Sequence, residues 1–392
     1  MNGLDLVRRG EAARILASAV AVALLIAAVA LLTGGGPAAA ARHATAAQAV
    51  LTLRTDGDHD ALWLVPPAGG AATAAGTLPG IAASAAVSPD GTTVAYLPEQ
   101  GKPYVWIGHG PLAPKTIPLQ AAGIKTVRDM TWIAADTLLV SGSRKANDGN
   151  GYANGLYTVD VKTGSVASFR SLSGVEPSAD VTTGKIAYVH FKKLDNGSVG
   201  NLHTPKYRES LMLTSVAGPG AGTTLDSWEY RPLAAGRAFS RPQLASGAHW
   251  LIAARTGSDV SVTYNVYYVG DGYMQTWLTM PQATPQAAAW AADGHSVAFG
   301  GDTVQPGNPQ PCVYVADVTT SALARTPAAL LSGTSVFWVT DVAWSDGGML
   351  VADALDDSTS EGDPDSTHVL LIDSGLSTVK DLGVGHQSVW VK

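Results

Sequence analysis

From Ala49 to the C-terminus, apolar and polar positions alternate in short runs broken by Gly, Asp, Asn and Pro. No window of helical length shows a 3.6-residue period, so the pattern predicts strand, turn, strand throughout. One phrase in it returns about every 50 residues. It reads Ala86-Val87-Ser88-Pro89-Asp90-Gly91 followed by Thr93-Val94-Ala95-Tyr96, then Ala289-Trp290-Ala291-Ala292-Asp293-Gly294 followed by Ser296-Val297-Ala298-Phe299. A third copy is Ala343-Trp344-Ser345-Asp346-Gly347 followed by Met349-Leu350-Val351, and looser ones fall at Thr131–Asp136 and Leu244–Gly247.

The physics of the phrase is local. Asp-Gly supplies a positive-φ residue that closes a short hairpin, and the Asp accepts backbone N–H bonds in the turn. A second turn, Asp160-Val161-Lys162-Thr163, Asp317-Val318-Thr319-Thr320 and Asp373-Ser374-Gly375, stands between third and fourth strands. A period of this size means stacked four-stranded units, none able to bury its own apolar face alone. The expected fold is therefore all-β, a single β-propeller. Six complete units fall at 85–119, 127–170, 178–226, 240–279, 287–328 and 341–382. Three strand-like runs (Ala49 to Arg54, Ala61 to Pro66, Ala71 to Leu78) remain at one end and one (Gln387 to Val391) at the other. Together they predict a seventh blade made by pairing the chain ends, which removes open sheet edges. Six blades is the alternative count.

The N-terminus follows another pattern. Ile15 to Leu32 is apolar except for Ser18, long enough to span a bilayer core, and is preceded by Arg8, Arg9 and Arg14. By the positive-inside rule this predicts a cytoplasmic N-terminus at 1–14, a transmembrane signal-anchor at 15–32 and an exported remainder. Small residues at Ala38 to Ala41 keep a cleaved signal peptide, and hence secretion, as the alternative. Residues 33–47 read as a flexible linker and 48–392 as the propeller.

Composition narrows the function. The 392 residues carry a net charge of −7, and no Lys/Arg cluster of nucleic-acid-binding density occurs. Cys312 is the only cysteine, which excludes an internal disulfide and a Cys-based metal site; its neighbours Val313 to Val315 place it in a strand as a buried thiol. There is no Gly-x-Ser-x-Gly elbow, no His-Glu-x-x-His and no phosphate-binding Gly-Lys-Ser/Thr loop. The glycine-rich run Gly149 to Gly155 lacks the strand-to-helix context of a dinucleotide site. Trp132, Trp290 and Trp344 fall at matching repeat positions, which points to core packing.

The stretch Ser88-Pro89-Asp90-Gly91-Thr92-Thr93-Val94-Ala95-Tyr96 resembles the repeat of TolB-like, WD-like bacterial β-propellers, and the Trp-x-x-Asp-Gly variants are similar to it. The resemblance implies a propeller whose usual role is protein–protein interaction at the cell envelope. It carries no functional residues across, because the repeat marks a folding turn. The sequence is not expected to include the extra N-terminal domain of TolB itself.

Candidate sites come from loop length and charge. The long connections, Ser143 to Asn154, Phe191 to Ser210, Gly301 to Pro311 and Leu355 to Thr367, all join second to third strands and so project from the face opposite the Asp-Gly turns. Function concentrates on such loops. Asp56, Asp58 and Asp60 have the alternate spacing of a calcium loop without the complete EF-hand pattern. Lys192, Lys193, Lys206 and Arg208 lie on the third blade, across the ring from Asp356, Asp357, Glu361, Asp363 and Asp365 on the sixth. These nine are the partner-binding candidates, with an envelope protein as the expected partner and no catalytic residue or required cofactor expected. A propeller-type hydrolase or lactonase using the central channel, and an envelope sensor or assembly factor, are the alternatives.

Overall fold

The computed structural model describes residues 48–110, 114–145, 152–170, 172–194, 206–218, 220, 222–230, 239–256, 262–269, 274–280, 288–302, 311–320, 322–325, 336–356 and 367–392. The expected helix at 15–32 and linker at 33–47 lie outside them. Among the described residues no helix is long and apolar enough to cross a membrane.

Seven four-stranded antiparallel sheets make up these residues. Blade 1 runs Ala82–Val87, Val94–Pro98, Tyr104–His109 and Lys115–Pro118. Blades 2 to 6 repeat the order over 124–168, 175–230, 239–280, 288–325 and 336–384. Blade 7 takes His386–Val391 as its first strand, followed by Ala49–Asp56, His59–Val65 and Thr73–Thr77. The two ends pair antiparallel, Ala49 opposite Val391 and Val50 opposite Trp390. The seventh blade expected from the leftover runs is present. Sequence and structure agree closely within a blade as well: blade 5 places its strands at Ala288–Trp290, Ser296–Asp302, Pro311–Asp317 and Ala322–Arg325.

The hydrophobic core is divided among the seams. Leu97, Ile107 and Ile117 of blade 1 meet Trp132, Leu138 and Val159 of blade 2. Ile252 and Tyr264 of blade 4 meet Val297 and Phe299 of blade 5, with Cys312 buried among them. Val351 and Leu371 of blade 6 meet Val50 and Trp390 of blade 7, and Leu51 and Leu62 of blade 7 meet Val94 and Tyr96 of blade 1. The seams are thus built chiefly from pairs of blades, the one around Phe299 also taking in Ala354 and Leu370 of blade 6, and burial of each large side chain contributes about 1.5–3 kcal/mol.

Tryptophans add a polar stitch. The indole N–H of Trp132 donates to the Ala86 carbonyl, Trp290 to Gln243, Trp344 to Ala289 and Trp390 to Ala343, at 2.8–3.2 Å. Each reaches from one blade's first strand to that of the blade before. Core placement of these side chains is therefore combined with registration of neighbouring blades.

The turns carry out the chemistry read from the repeat. Asp293 Oδ1 accepts the His295 and Ser296 N–H groups, and Asp317 and Asp160 do the same for their own turns. Gly91 and Gly294 have φ of 76° and 73°. The third copy differs: its positive φ falls on Gly348, and Ser345, not Asp346, takes the turn, its Oγ accepting the Met349 N–H at 2.9 Å. A Cβ on Gly294 would stand 2.6 Å from the Ser246 carbonyl oxygen, whereas one on Gly91 meets only the movable Lys392 side chain at 3.0 Å. Gly294→Ala is accordingly expected to cost about 2 kcal/mol or more, through strain and backbone overlap together. Urea denaturation should show a clearly smaller loss for Gly91→Ala.

Candidate functional site

The first strands of all seven blades line one central channel of about 810 Å³. That volume is in the range of small-ligand sites. The wall is polar, with Arg128 and Asp129 from blade 2, Glu176 from blade 3, Gln243 from blade 4, Asp341 from blade 6 and Gln387 from blade 7. Bulges put several of them there. The ladder breaks between Val175 and Ser178 in blade 3, and opposite Leu51 to Leu53 in blade 7. Within those breaks Glu176 and Gln387 adopt φ of 52° and 51°, a conformation bulges tolerate and regular strands do not.

Several wall groups are tied to the scaffold. Asp129 Oδ2 accepts the Ser141 hydroxyl at 3.0 Å and the Glu176 N–H at 3.3 Å, which binds blade 2 to blade 3. Asp341 Oδ1 accepts the Val342 N–H at 2.9 Å. Among the described residues no group of three or more His, Cys, Asp or Glu side chains is placed to hold a metal ion.

Asp56, Asp58 and Asp60 occupy one hairpin but not one site. Asp56 and Asp58 are exposed at its tip, with His59 Nδ1 3.3 Å from Asp58. Asp60 is fully buried. Its Oδ2 accepts the Ala82 N–H of blade 1 at 2.8 Å, and its Oδ1 accepts the Thr55 hydroxyl at 2.9 Å and His386 Nε2 at 3.3 Å. Burial raises the Asp60 pKa, but the hydrogen bonds from His386, Ala82 and Thr55 outweigh it and hold the carboxyl below its usual range. Its oxygens serve the seam between blades 7 and 1.

The basic candidates sit at the loop end of blade 3. Lys192 and Lys193 are exposed at the end of its second strand, Lys185–Lys193. Lys192 stands opposite Arg208 in the neighbouring strand, and Arg208 opposite Glu229 in the next. Glu229 binds both Lys206 and Arg208, the Arg208 Nε at 2.9 Å, so two of the four cations are partly neutralised. Sequence reading missed their extension onto blade 2: Lys125, Arg128, Arg144 and Lys145 are exposed on its first two strands, toward the same end. The signal was available in Arg144-Lys145, directly before a long loop. Across the ring, Asp356 ends the second strand of blade 6, Leu350–Asp356. Asp357, Glu361, Asp363 and Asp365 lie outside the described residues, as do the central parts of the four long loops.

No protein-family model and no curated protein sequence matches the chain. Solved structures do match in fold. TolB from Acinetobacter baumannii is 14% identical, with 89% of this chain and 84% of that chain covered and a TM-score of 0.45. The β-propeller domain of the Trilobed protease from Pyrococcus furiosus, described as having an open velcro topology, is 12% identical over 86% of this chain and 95% of that one, with a TM-score of 0.50. A prolyl endopeptidase is 11% identical over 86% of this chain and 42% of that one, again at 0.50. At these identities the likeness is one of fold: the chain is a seven-bladed β-propeller.

Proposed function

We propose that this propeller is an exported, membrane-tethered and non-catalytic binding module that docks a protein partner at the cell envelope through its loop face. The observation that carries the reading is the segregation of charge on that face. Cations gather at the loop ends of blades 2 and 3, while Asp56, Asp58 and Asp356 stand at the loop ends of blades 6 and 7. Opposed charge on a rigid ring orients an approaching partner and sets its register more than it adds affinity.

The point of chain entry supports this. Gln48 lies at the short-turn face, its Oε1 accepting the Asp346 N–H at 3.0 Å. The first described residue of the propeller thus lies on the side away from the long loops. On this reading 15–32 is the membrane anchor and 33–47 links it to the propeller.

The test is cross-linking and co-purification of the full chain from membranes, beside a variant with Lys192, Lys193, Lys206 and Arg208 replaced by alanine. Loss of a partner from the variant, with the fold intact by circular dichroism, is the expected result. An unchanged set of partners would overturn the docking surface.

A further inference from the structure

Blade 2 differs from its neighbours along one edge. In blades 1, 3 and 4 the outer strand pairs with the loop-end residue of the third strand, Tyr104 opposite Pro118, Tyr207 opposite Tyr230 and Val262 opposite Met280. In blade 2 the outer strand is only Val166–Ser168, and its pairing with the third strand, Tyr152–Asp160, stops at Tyr157 opposite Ser168. The chain then turns away. Arg170 takes a φ of 51°, its N–H donates to the Ser168 carbonyl at 3.1 Å, and the Leu172 N–H returns to the Phe169 carbonyl at 3.1 Å. The Arg170 guanidinium lies over the Phe169 ring and donates to the Val216 carbonyl of blade 3, which fixes the exit.

The loop-end half of the third strand is left with an open outer edge. Its register on the second strand is unbroken from Tyr152 opposite Lys145 to Asp160 opposite Thr137, so the backbone groups alternate in direction along it. The Leu156 carbonyl and N–H point outward, to the Phe169 N–H and the Leu172 carbonyl. By alternation those of Tyr152 and Asn154 point outward too, and among the described residues they meet no hydrogen-bond partner. Exposed edges are usually blunted by Pro, Lys or a bulge. Tyr152-Ala153-Asn154-Gly155 has none of these. The cations stand one strand inward. Arg144 lies opposite Ala153 and Lys145 opposite Tyr152, both exposed, with Lys125 exposed at the loop end of the first strand.

We propose that this edge takes an acidic, extended segment of a protein partner as an added strand beside Tyr152–Gly155, in line with the short outer strand. Neighbouring strands lie about 4.8 Å apart, so the added strand runs roughly 10 Å from the second strand. Ala153, between them, is too short to block that path, and an Arg144 side chain with a Glu on the added strand spans it. Lys145, on the opposite face of the sheet, offers a second cation. Main-chain bonds to Tyr152 and Asn154 supply the attachment, and the cations select the charge. The partner itself rests on the docking reading, but the test of the edge does not need it.

A labelled peptide of alternating Thr and Glu, beside a Thr and Lys counterpart, tests the edge on the full chain by fluorescence anisotropy. The Glu peptide is expected to bind and the Lys peptide to fail. Binding should slow amide exchange at Asn154 and leave Ala153, whose N–H faces the second strand, unchanged. Asn154→Pro removes one outward N–H and no charge, at an edge position where proline is tolerated, and should weaken the Glu peptide by roughly tenfold. Arg144→Glu with Lys145→Glu should exchange the preference between the peptides. Alanine at Lys192, Lys193, Lys206 and Arg208 should leave peptide binding in place, which separates this edge from the wider docking surface. No binding of the Glu peptide would overturn the proposal. So would binding that leaves Asn154 exchange and the Asn154→Pro affinity unchanged, which is attraction to charge alone. If Asn154→Pro fails to fold, exchange at Asn154 decides alone.

Discussion

Removing His386–Lys392 is expected to abolish the folded monomer. The deletion takes the first strand from blade 7 and leaves the Ala49–Asp56 edge without its partner. It also strips both adjoining seams: Trp390 and Val391 are buried in the cores against blades 6 and 1. Lys392 goes too, with its N–H bond to the Gly91 carbonyl at 2.9 Å and its ion pair to Asp346 at 3.0 Å. Burial of two large side chains, one indole hydrogen bond and a full strand ladder together exceed about 5 kcal/mol, which is the net stability of many domains. An unpaired inner edge also invites association between copies. Size-exclusion chromatography should show aggregate or no soluble protein, and a monomer melting at the wild-type temperature would contradict the closure described.

Asp60→Ala is the next largest effect. The substitution leaves the Ala82 N–H without its acceptor and releases Thr55 and His386 inside a dry junction. Loss of a buried carboxylate with three partners costs about 3 kcal/mol, or roughly 4 °C in thermal midpoint for a propeller of this length. Asp60→Asn keeps an acceptor for Ala82 and should lose less. The Asp60 pKa lies below its unfolded value, so the wild-type advantage over the alanine variant should be full above about pH 4 and shrink as pH falls further. Calorimetry at several pH values reads both effects. A midpoint within a degree of wild type at neutral pH would show that the junction does not depend on this carboxylate.

The architecture was legible because its signals are local. Asp-Gly and Ser-x-x-Gly turns impose positive φ within a few residues, and a fixed period then counts the blades. The closing strand was legible by subtraction, three runs at one end and one at the other. The site was less so. Asp56, Asp58 and Asp60 share an alternate spacing, but alternation in a hairpin also carries a side chain from the exposed tip into the seam, and Asp60 finds His386 some 326 residues away. Asp353, a buried acid on the second strand of blade 6, is equally hidden in the sequence, since its pairing with Asp341 follows a register break between Val339 and Asp341. Glu176 and Gln387 reach the channel through bulges of the same kind. Such breaks are set by contact between blades, which no short stretch of sequence encodes. The third copy shows the limit within a turn: its Asp346-Gly347 pair stands one residue early, while the left-handed position stays three residues after the start of the turn, at Gly348.

A charge-guided docking face on a closed ring makes partner binding depend on salt. Its most direct test is the affinity of the full chain for the partner recovered from membranes, titrated at rising salt. Affinity should fall by roughly tenfold or more from low to high salt, and alanine at Lys192, Lys193, Lys206 and Arg208 should weaken binding and flatten that dependence. Binding that is insensitive to salt and unchanged in the variant would contradict it.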